Sequence, residues 1–292
     1  MTIHLLRPEV ADAIAAGEVV ERPASVVKEL VENGLDAGAR RVSIDIRGAG
    51  RNLIRVADDG SGVPAGELRL AFTRHATSKV ESLTDLEAIA SLGFRGEALA
   101  SVAAVADVLC TSSGARLRVR AGRVLEEGAA ASAPGTVVEV RELFANVPAR
   151  LRFLKSDATE TAACLRVASH YAQLYPEVRF EVRIDGRAAL QAPGGGDRRR
   201  ALAAVHGQAV AAEMLALDWA ADSVRVEGLT SQPRLSRGSR DGILLAVNRR
   251  PVASRALGYA LEECYLGALE RGRHPLAVVA VSLDPAAVDV NV

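Results

Sequence analysis

Pro23-Ala24-Ser25-Val26-Val27-Lys28-Glu29-Leu30-Val31-Glu32-Asn33-Gly34-Leu35 decides how the rest of the chain is read. Proline suits the first turn of a helix, where its missing N–H has no partner to lose. Gly38 stands just past the far end, where a helix commonly stops on a left-handed residue. Val27, Leu30, Val31 and Gly34 recur at helical spacing and form one inward stripe. Glu29 and Asn33 are four residues apart, so their side chains share another face. A carboxylate one turn from a carboxamide can share a site. The carboxamide oxygen suits a hard cation such as magnesium, and the carboxylate can orient or deprotonate a water. The alternative on spacing alone is a solvated face, with Lys28 and Glu32 in ordinary surface pairs.

Outward from this helix, Val42 to Ile46 alternates as a half-buried strand does, Gly48 and Gly50 turn the chain, and Leu53 to Ala57 supplies the partner strand. Asp58-Asp59-Gly60-Ser61-Gly62 follows as a loop. An acid at a strand end can accept a hydrogen bond from an amine, and the glycines let backbone approach a ligand; a plain Asp-Gly turn reads the same. Arg74-His75-Ala76-Thr77-Ser78-Lys79 is a basic, hydroxyl-rich connector, either a flap over phosphates or a solvated link. Gly93-Phe94-Arg95-Gly96-Glu97-Ala98-Leu99 leads into a helix over 97–106. Free N–H groups at a helix start, with Arg95 beside them, favour an anion; a simple capped start is the alternative. Gly135-Thr136 opens an alternating strand. The spacing also predicts helices over 67–75, 83–89, 159–174 and near 254–269, and strands over 178–184, 224–229, 243–247 and 277–283.

At 292 residues the chain exceeds one ordinary core, and Ala192 to Arg200, with proline, three glycines and three arginines, is the best boundary. Domains over 1–198 and 199–292 are expected. Apolar residues at 49% and charged residues at 25% fit a soluble globular protein. The 36 basic residues balance 36 acidic ones, so net charge gives no pull toward nucleic acid. Arg234, Arg237, Arg240, Arg249, Arg250 and Arg255 do cluster, with Asp241 the only acid among them; they suit phosphates or a solvated strand face, with no aromatic to stack on bases. Cys110, Cys164 and Cys264 are scattered and odd in number, which argues against disulfides and zinc and for thiols in a reducing cytosol. No apolar run approaches the ~18 residues of a membrane span, and the first ten residues lack a secretory pattern. A cytoplasmic protein off the membrane is expected. The phosphate-loop, metalloprotease and nucleophile-elbow patterns are absent from the sequence.

Together these segments resemble the N-terminal ATPase region of the MutL DNA mismatch repair family. The resemblance rests on Ile14 through Asn33, Leu35 to Ala39, Arg74 to Lys79, Gly93 to Leu99, Gly135-Thr136, Leu143-Phe144, Asn146 to Arg150 and Asp289 to Val292, in order along the chain. It implies an α+β fold: helices packed on a mixed, largely antiparallel sheet (the Bergerat-type ATPase sandwich), then a smaller ribosomal-protein-like α/β domain. It implies ATP and Mg2+ as cofactors. Glu29 would be the base for the attacking water and Asn33 the magnesium ligand. Asp58 would accept the adenine amine, with Ala37, Gly62, Val63 and Thr136 around it. Thr77, Ser78 and Lys79 would form a lid segment near the phosphates, and Gly93, Phe94, Arg95, Gly96, Glu97, Ala98 and Leu99 the phosphate loop and helix start. It further implies an ATP-dependent homodimer, a MutS-type mismatch sensor as partner, and weak non-specific DNA contact through Arg250 and Arg255.

Three departures stand out. Asp59 replaces the family's Asn and puts extra negative charge near phosphates unless it points away. Gly34 replaces a Ser and loosens its helical turn by up to about 1 kcal/mol. The chain stops at Val292, before a family lysine that reaches the γ-phosphate, so weak hydrolysis is expected. Two other classes compete: a related ATPase module of topoisomerase or chaperone type, against which the 74–79 and 93–99 strings argue, and a binding-only module for which ATP is a signal.

Overall fold

The computed structural model describes residues 15–17, 19–80, 82, 91–93 and 96–288. These fall into two units, one drawn from 1–80, 91–168 and 180–191, the other from 81–90, 169–179 and 192–292.

In the first unit, helix α1 spans Pro23–Asp36 and is followed by strands β1 (Arg41–Arg47) and β2 (Leu53–Asp58). Helix α2 (Ala98–Ala104) leads into β3 (Asp107–Ser112), β4 (Ala115–Arg120), β5 (Arg123–Ala129) and β6 (Thr136–Arg141). Helices α3 (Pro148–Phe153) and α4 (Asp157–Leu174) precede β7 (Arg179–Ile184) and β8 (Arg187–Ala192). The sheet order is β5-β4-β3-β6-β2-β1-β7-β8, and the pairings from β5 through β1 are antiparallel. Two apolar rows cross five strands: Ile44, Val56, Val138, Cys110 and Leu117, then Ile46, Ile54, Val140, Val108 and Val119. All ten are buried, and burying each large aliphatic side chain contributes roughly 1.5–3 kcal/mol. Helix α1 buries Val27, Leu30, Val31 and Gly34, the stripe its sequence predicts.

The period of two carries this face on to the ends of the strands. Two residues beyond Val56 comes Asp58, and two before Val138 comes Thr136, paired in register with Ser112. The hydrophobic rows therefore finish in a row of polar groups on the helix-covered face of the sheet.

The sequence expectation of a helix over 67–75 is not met. Two short 3-10 turns, Ala65–Glu67 and Leu70–Phe72, stand there, and Thr73 is extended. Leu68 is buried, but Leu70 is 56% exposed, so no apolar stripe exists to pack a longer helix. The helix expected over 97–106 is observed as α2. The one expected over 83–89 lies outside the described residues.

The second unit contains α5 (Arg198–His206), α6 (Gln208–Ala212), β9 (Met214–Ala221), β10 (Val224–Ser231), β11 (Ser236–Arg237), β12 (Ile243–Val247), β13 (Arg250–Pro251), α7 (Arg255–Glu263), β14 (His274–Pro275) and β15 (Ala277–Ser282). Its main sheet runs β13-β12-β15-β10-β9, with β12 and β15 parallel and the other pairs antiparallel. One face packs Leu202, Met214, Leu229, Leu244, Leu276 and Val278 into a core. The other sets Leu245, Ala277 and Val279 against Leu257 and Leu261 of α7. The basic run Arg198-Arg199-Arg200 is the first turn of α5, where Asp197 Oδ1 accepts from the amides of Arg199 (2.9 Å) and Arg200 (3.1 Å). Such a cap stabilises a helix by about 1 kcal/mol.

Candidate functional site

The polar face of α1 carries Glu29, Asn33 and, one turn further, Asp36. Lys28 Nζ lies 3.1 Å from Glu29 Oε1 and 3.1 Å from Glu32 Oε2. Glu32 is only 3% exposed, so it is a buried partner rather than the ordinary surface residue that spacing allows. Lys79 Nζ donates to Asn33 Oδ1 at 3.2 Å and to Asp36 Oδ2 at 2.5 Å. The amide of Leu92 donates to Asp36 Oδ1 (2.8 Å) and that of Gly93 to Asp36 Oδ2 (3.0 Å). Thr77 Oγ1 accepts from the amide of Lys79 at 3.1 Å. His75 Nδ1 stands 3.4 Å from Glu97 Oε1. Gly96 sits at φ +62° against the backbone of Ala76, where a Cβ would come within 2.6 Å of the Ala76 oxygen. The structure thus brings the 74–79 connector, the start of the 93–99 segment and the face of Glu29 and Asn33 into one place. Thr77 and Ser78 are exposed there, Ala98 and Leu99 open α2, and Phe94 and Arg95 lie outside the described residues.

At the end of β2, Asp58 Oδ1 accepts from the amide of Gly60 at 2.9 Å. Loss of water raises its carboxyl above the usual value; the amides of Gly60 and Thr136 oppose that rise, and the charge of Asp59 adds to it. Beneath, burial and the charge of Asp58 push the Cys110 thiol up to about 12, so that cysteine is inert packing. Ser112 links the surrounding backbone: its Oγ accepts from the amide of Val63 (2.8 Å), donates to the carbonyl of Gly135 (3.0 Å) and lies 3.0 Å from Thr136 Oγ1. Gly62, at φ +74°, packs on the hydroxyls of Ser112 and Ser113. Ala37 closes the loop from below, its carbonyl accepting from the amide of Ser61 at 2.9 Å. Asp58, Gly62, Val63, Thr136 and Ala37 are thereby one cluster.

Two of the departures acquire a structural reason. Asp59 Oδ1 accepts from the amides of Arg40 and Arg41, 2.7 Å each, so its carboxylate fastens the start of β1. A Cβ on Gly34 would stand 3.0 Å from the Cβ of Asp58, a close fit between helix and strand.

Three residues here escape a reading of motifs in isolation. Asp36 has the signal of helical spacing, seven residues beyond Glu29. Ser112 has only its place in the hydroxyl cluster Thr111-Ser112-Ser113. Arg150 guards the entry to α1: its Nη1 donates to the carbonyls of Gly17 (3.0 Å) and Val20 (2.7 Å), and its guanidinium lies 5.6 Å from the Phe144 ring centroid. Nothing local to 146–150 indicates that reach.

The arginine cluster of the second unit is largely paired. Arg234 pairs with Glu213, Arg249 with Glu177, and Arg240 grips Glu262 with two bonds of 2.8 and 2.7 Å. These acids lie outside the 234–255 stretch, which is why the run looks more basic in sequence than it is in space. Arg249 also stacks 4.0 Å from the Tyr175 ring centroid. Arg250 opens β13 and Arg255 opens α7. Among the described residues no cluster of His, Cys, Asp and Glu is arranged to hold a metal, and no helix is long and apolar enough to cross a membrane.

A family profile described as histidine kinase-, DNA gyrase B-, and HSP90-like ATPase matches residues 21–122. A second, described as DNA mismatch repair protein, C-terminal domain, matches 202–292. The DNA mismatch repair protein MutL of Symbiobacterium thermophilum is 46% identical over 99% of this chain, and the chain covers 47% of that protein. The chain spans about half the length of the curated relatives it matches. Among solved structures, the N-terminal domain of a DNA repair protein superposes with TM-score 0.80 at 28% identity, over 97% of this chain and 89% of that one. The Aquifex aeolicus MutL ATPase domain complexed with ADP gives 0.69 at 27%, over 91% and 94%.

Proposed function

Given that the chain belongs to the MutL family of DNA mismatch repair proteins, we propose that its first unit binds ATP with magnesium and hydrolyses it. The observation that carries the reading is the cluster at the end of β2. There a partly buried carboxylate, Asp58, stands in a ring of glycine and hydroxyl groups at the margin of the apolar rows. That arrangement suits a flat heterocycle with an exocyclic amine: the amine donates to Asp58, the ring lies on the apolar floor, and no positive charge is needed.

The phosphate end falls to α1 and the two segments beside it. Asn33 Oδ1 fits a magnesium site by its chemistry, because it is a neutral hard oxygen that already accepts from an ammonium at 3.2 Å. A single protein oxygen also agrees with an ion that takes its remaining ligands from phosphates and water. Magnesium, when bound, supplies neutralisation of phosphate charge. Glu29 orients the attacking water and receives its proton; its partner Lys28 holds the carboxylate in place. Thr77, Ser78 and Lys79, with the segment from Gly93 to Leu99, face the phosphates.

For the longer protein of which relatives give the pattern, nucleotide binding drives self-association of these regions and couples a MutS-type mismatch sensor to later repair steps. Arg250 and Arg255 supply weak, sequence-independent DNA contact. Support for this part is the family membership alone. The test of the enzymatic claim separates binding from turnover: Glu29→Ala keeps the affinity for a non-hydrolysable analogue within about threefold and lowers phosphate release by a factor of roughly 10²–10⁴. Unchanged release in Glu29→Ala contradicts it.

A further inference from the structure

The carboxylate of Asp36 has three partners drawn from two separate segments: Lys79 Nζ at 2.5 Å, the Leu92 amide at 2.8 Å and the Gly93 amide at 3.0 Å. It belongs to the same helix face as Glu29 and Asn33 and is 10% exposed. Lys79 Nζ in turn touches Asn33 Oδ1 at 3.2 Å. A Cβ on Gly93 would stand 3.3 Å from Lys79 Nζ and 3.9 Å from Asn33 Oδ1, so these groups share one confined space.

We propose that Asp36 is a positioning residue of the phosphate end: it sets the Leu92–Gly93 backbone and the Lys79 ammonium against Asn33. Lys79 then screens the Asn33 oxygen until a magnesium–nucleotide displaces it. The inference rests on the nucleotide reading above. Its physical basis is that charge-assisted hydrogen bonds to backbone amides fix a segment more firmly than neutral ones, and a carboxylate with four lone-pair sites can bind three donors at once. An ammonium and a divalent cation also compete for one oxygen. The Asp36 carboxylate bonds to Lys79, Leu92 and Gly93 and to no side chain of the Asp58 cluster or of the Glu29–Lys28 pair, so loss of that carboxylate is felt at the phosphate end.

The test compares two probes on the full chain by calorimetry: adenosine alone, which uses only the Asp58 end, and the magnesium complex of a non-hydrolysable ATP analogue. Asp36→Ala leaves adenosine affinity within about twofold and weakens the magnesium–analogue about tenfold or more, the loss appropriate to charge-assisted hydrogen bonds. Asp36→Asn, which keeps an oxygen for one amide but loses the charge, falls between. In hydrogen exchange the Leu92 and Gly93 amides lose protection in Asp36→Ala and partly regain it in Asp36→Asn. Equal weakening of both probes in Asp36→Ala, or no weakening of the magnesium–analogue, overturns the proposal. Failure of the unaltered chain to bind either probe overturns the nucleotide reading itself, which keeps the two failures distinct.

Discussion

Gly135 meets Asp58 back to back: a Cβ built on Gly135 would lie 2.0 Å from the Asp58 carbonyl oxygen, and Gly135 holds φ at +94°. Only glycine satisfies both conditions. The expected outcome of Gly135→Ala is a loss of about 2 kcal/mol or more in unfolding free energy, from left-handed strain together with displaced backbone. Adenosine binding disappears with it. Urea unfolding and calorimetry on the same preparation check this, and a variant of unchanged stability and affinity contradicts it.

Asp59 acts through one oxygen on two amides, those of Arg40 and Arg41. An asparagine offers the same oxygen. Asp59→Asn therefore binds the analogue within about twofold of the original and unfolds within about 0.5 kcal/mol of it. Asp59→Ala loses about 1–2 kcal/mol, because the two amides lose their acceptor. A large gain in nucleotide affinity for Asp59→Asn would show that its charge reaches the phosphates.

Desolvation holds the Asp58 carboxyl above its ordinary 3.8. An acid raised in this way binds its proton more tightly folded than unfolded. Its contribution favours the fold at low pH and is lost as pH rises through the folded value. Asp58→Asn carries no such charge. The original and the variant should have similar stability below pH 3.8, and the variant should gain relative to the original as the pH rises from 3.8 to the raised value, the gain staying constant above it. Urea unfolding at a series of pH values measures the difference; a variant that loses ground as pH rises has the wrong sign.

Local periodicity makes much of this molecule legible in the sequence. The stripe of α1, the alternation of β1 and β2 and the place of Asp58 after an apolar strand are all short-range patterns, and the structure reproduces them. What sequence could not supply was long-range pairing. Arg150 finds Gly17 and Val20 more than a hundred residues away, and Ser112 meets Gly135 through the register in which β3 and β6 pair, and Val63 through the loop that follows β2. The strand Met214–Ala221 carries no clear local pattern because it is an edge. Its Leu215 and Trp219 are 47% and 56% exposed, so its composition reflects neither face cleanly. The short turns at 65–72 failed for the opposite reason: helix-forming residues were present without a core to pack against.

If Arg250 and Arg255 contact DNA phosphates, the double reversal Arg250→Glu/Arg255→Glu weakens binding evenly across sequences. It also reduces the slope of log affinity against log salt by about 2. Fluorescence anisotropy with two unrelated duplexes measures both. A loss confined to one sequence, or an unchanged slope, contradicts the assignment.

The central claim is that the cluster around Asp58 receives the adenine of a magnesium–ATP complex. Titration calorimetry of the chain with magnesium and a non-hydrolysable ATP analogue, beside Asp58→Ala of matched fold by circular dichroism, tests it most directly. The account predicts saturable binding by the original and a loss of about a hundredfold or more in the variant, as expected when a charged hydrogen-bond acceptor is removed. Equal binding by both proteins would contradict it.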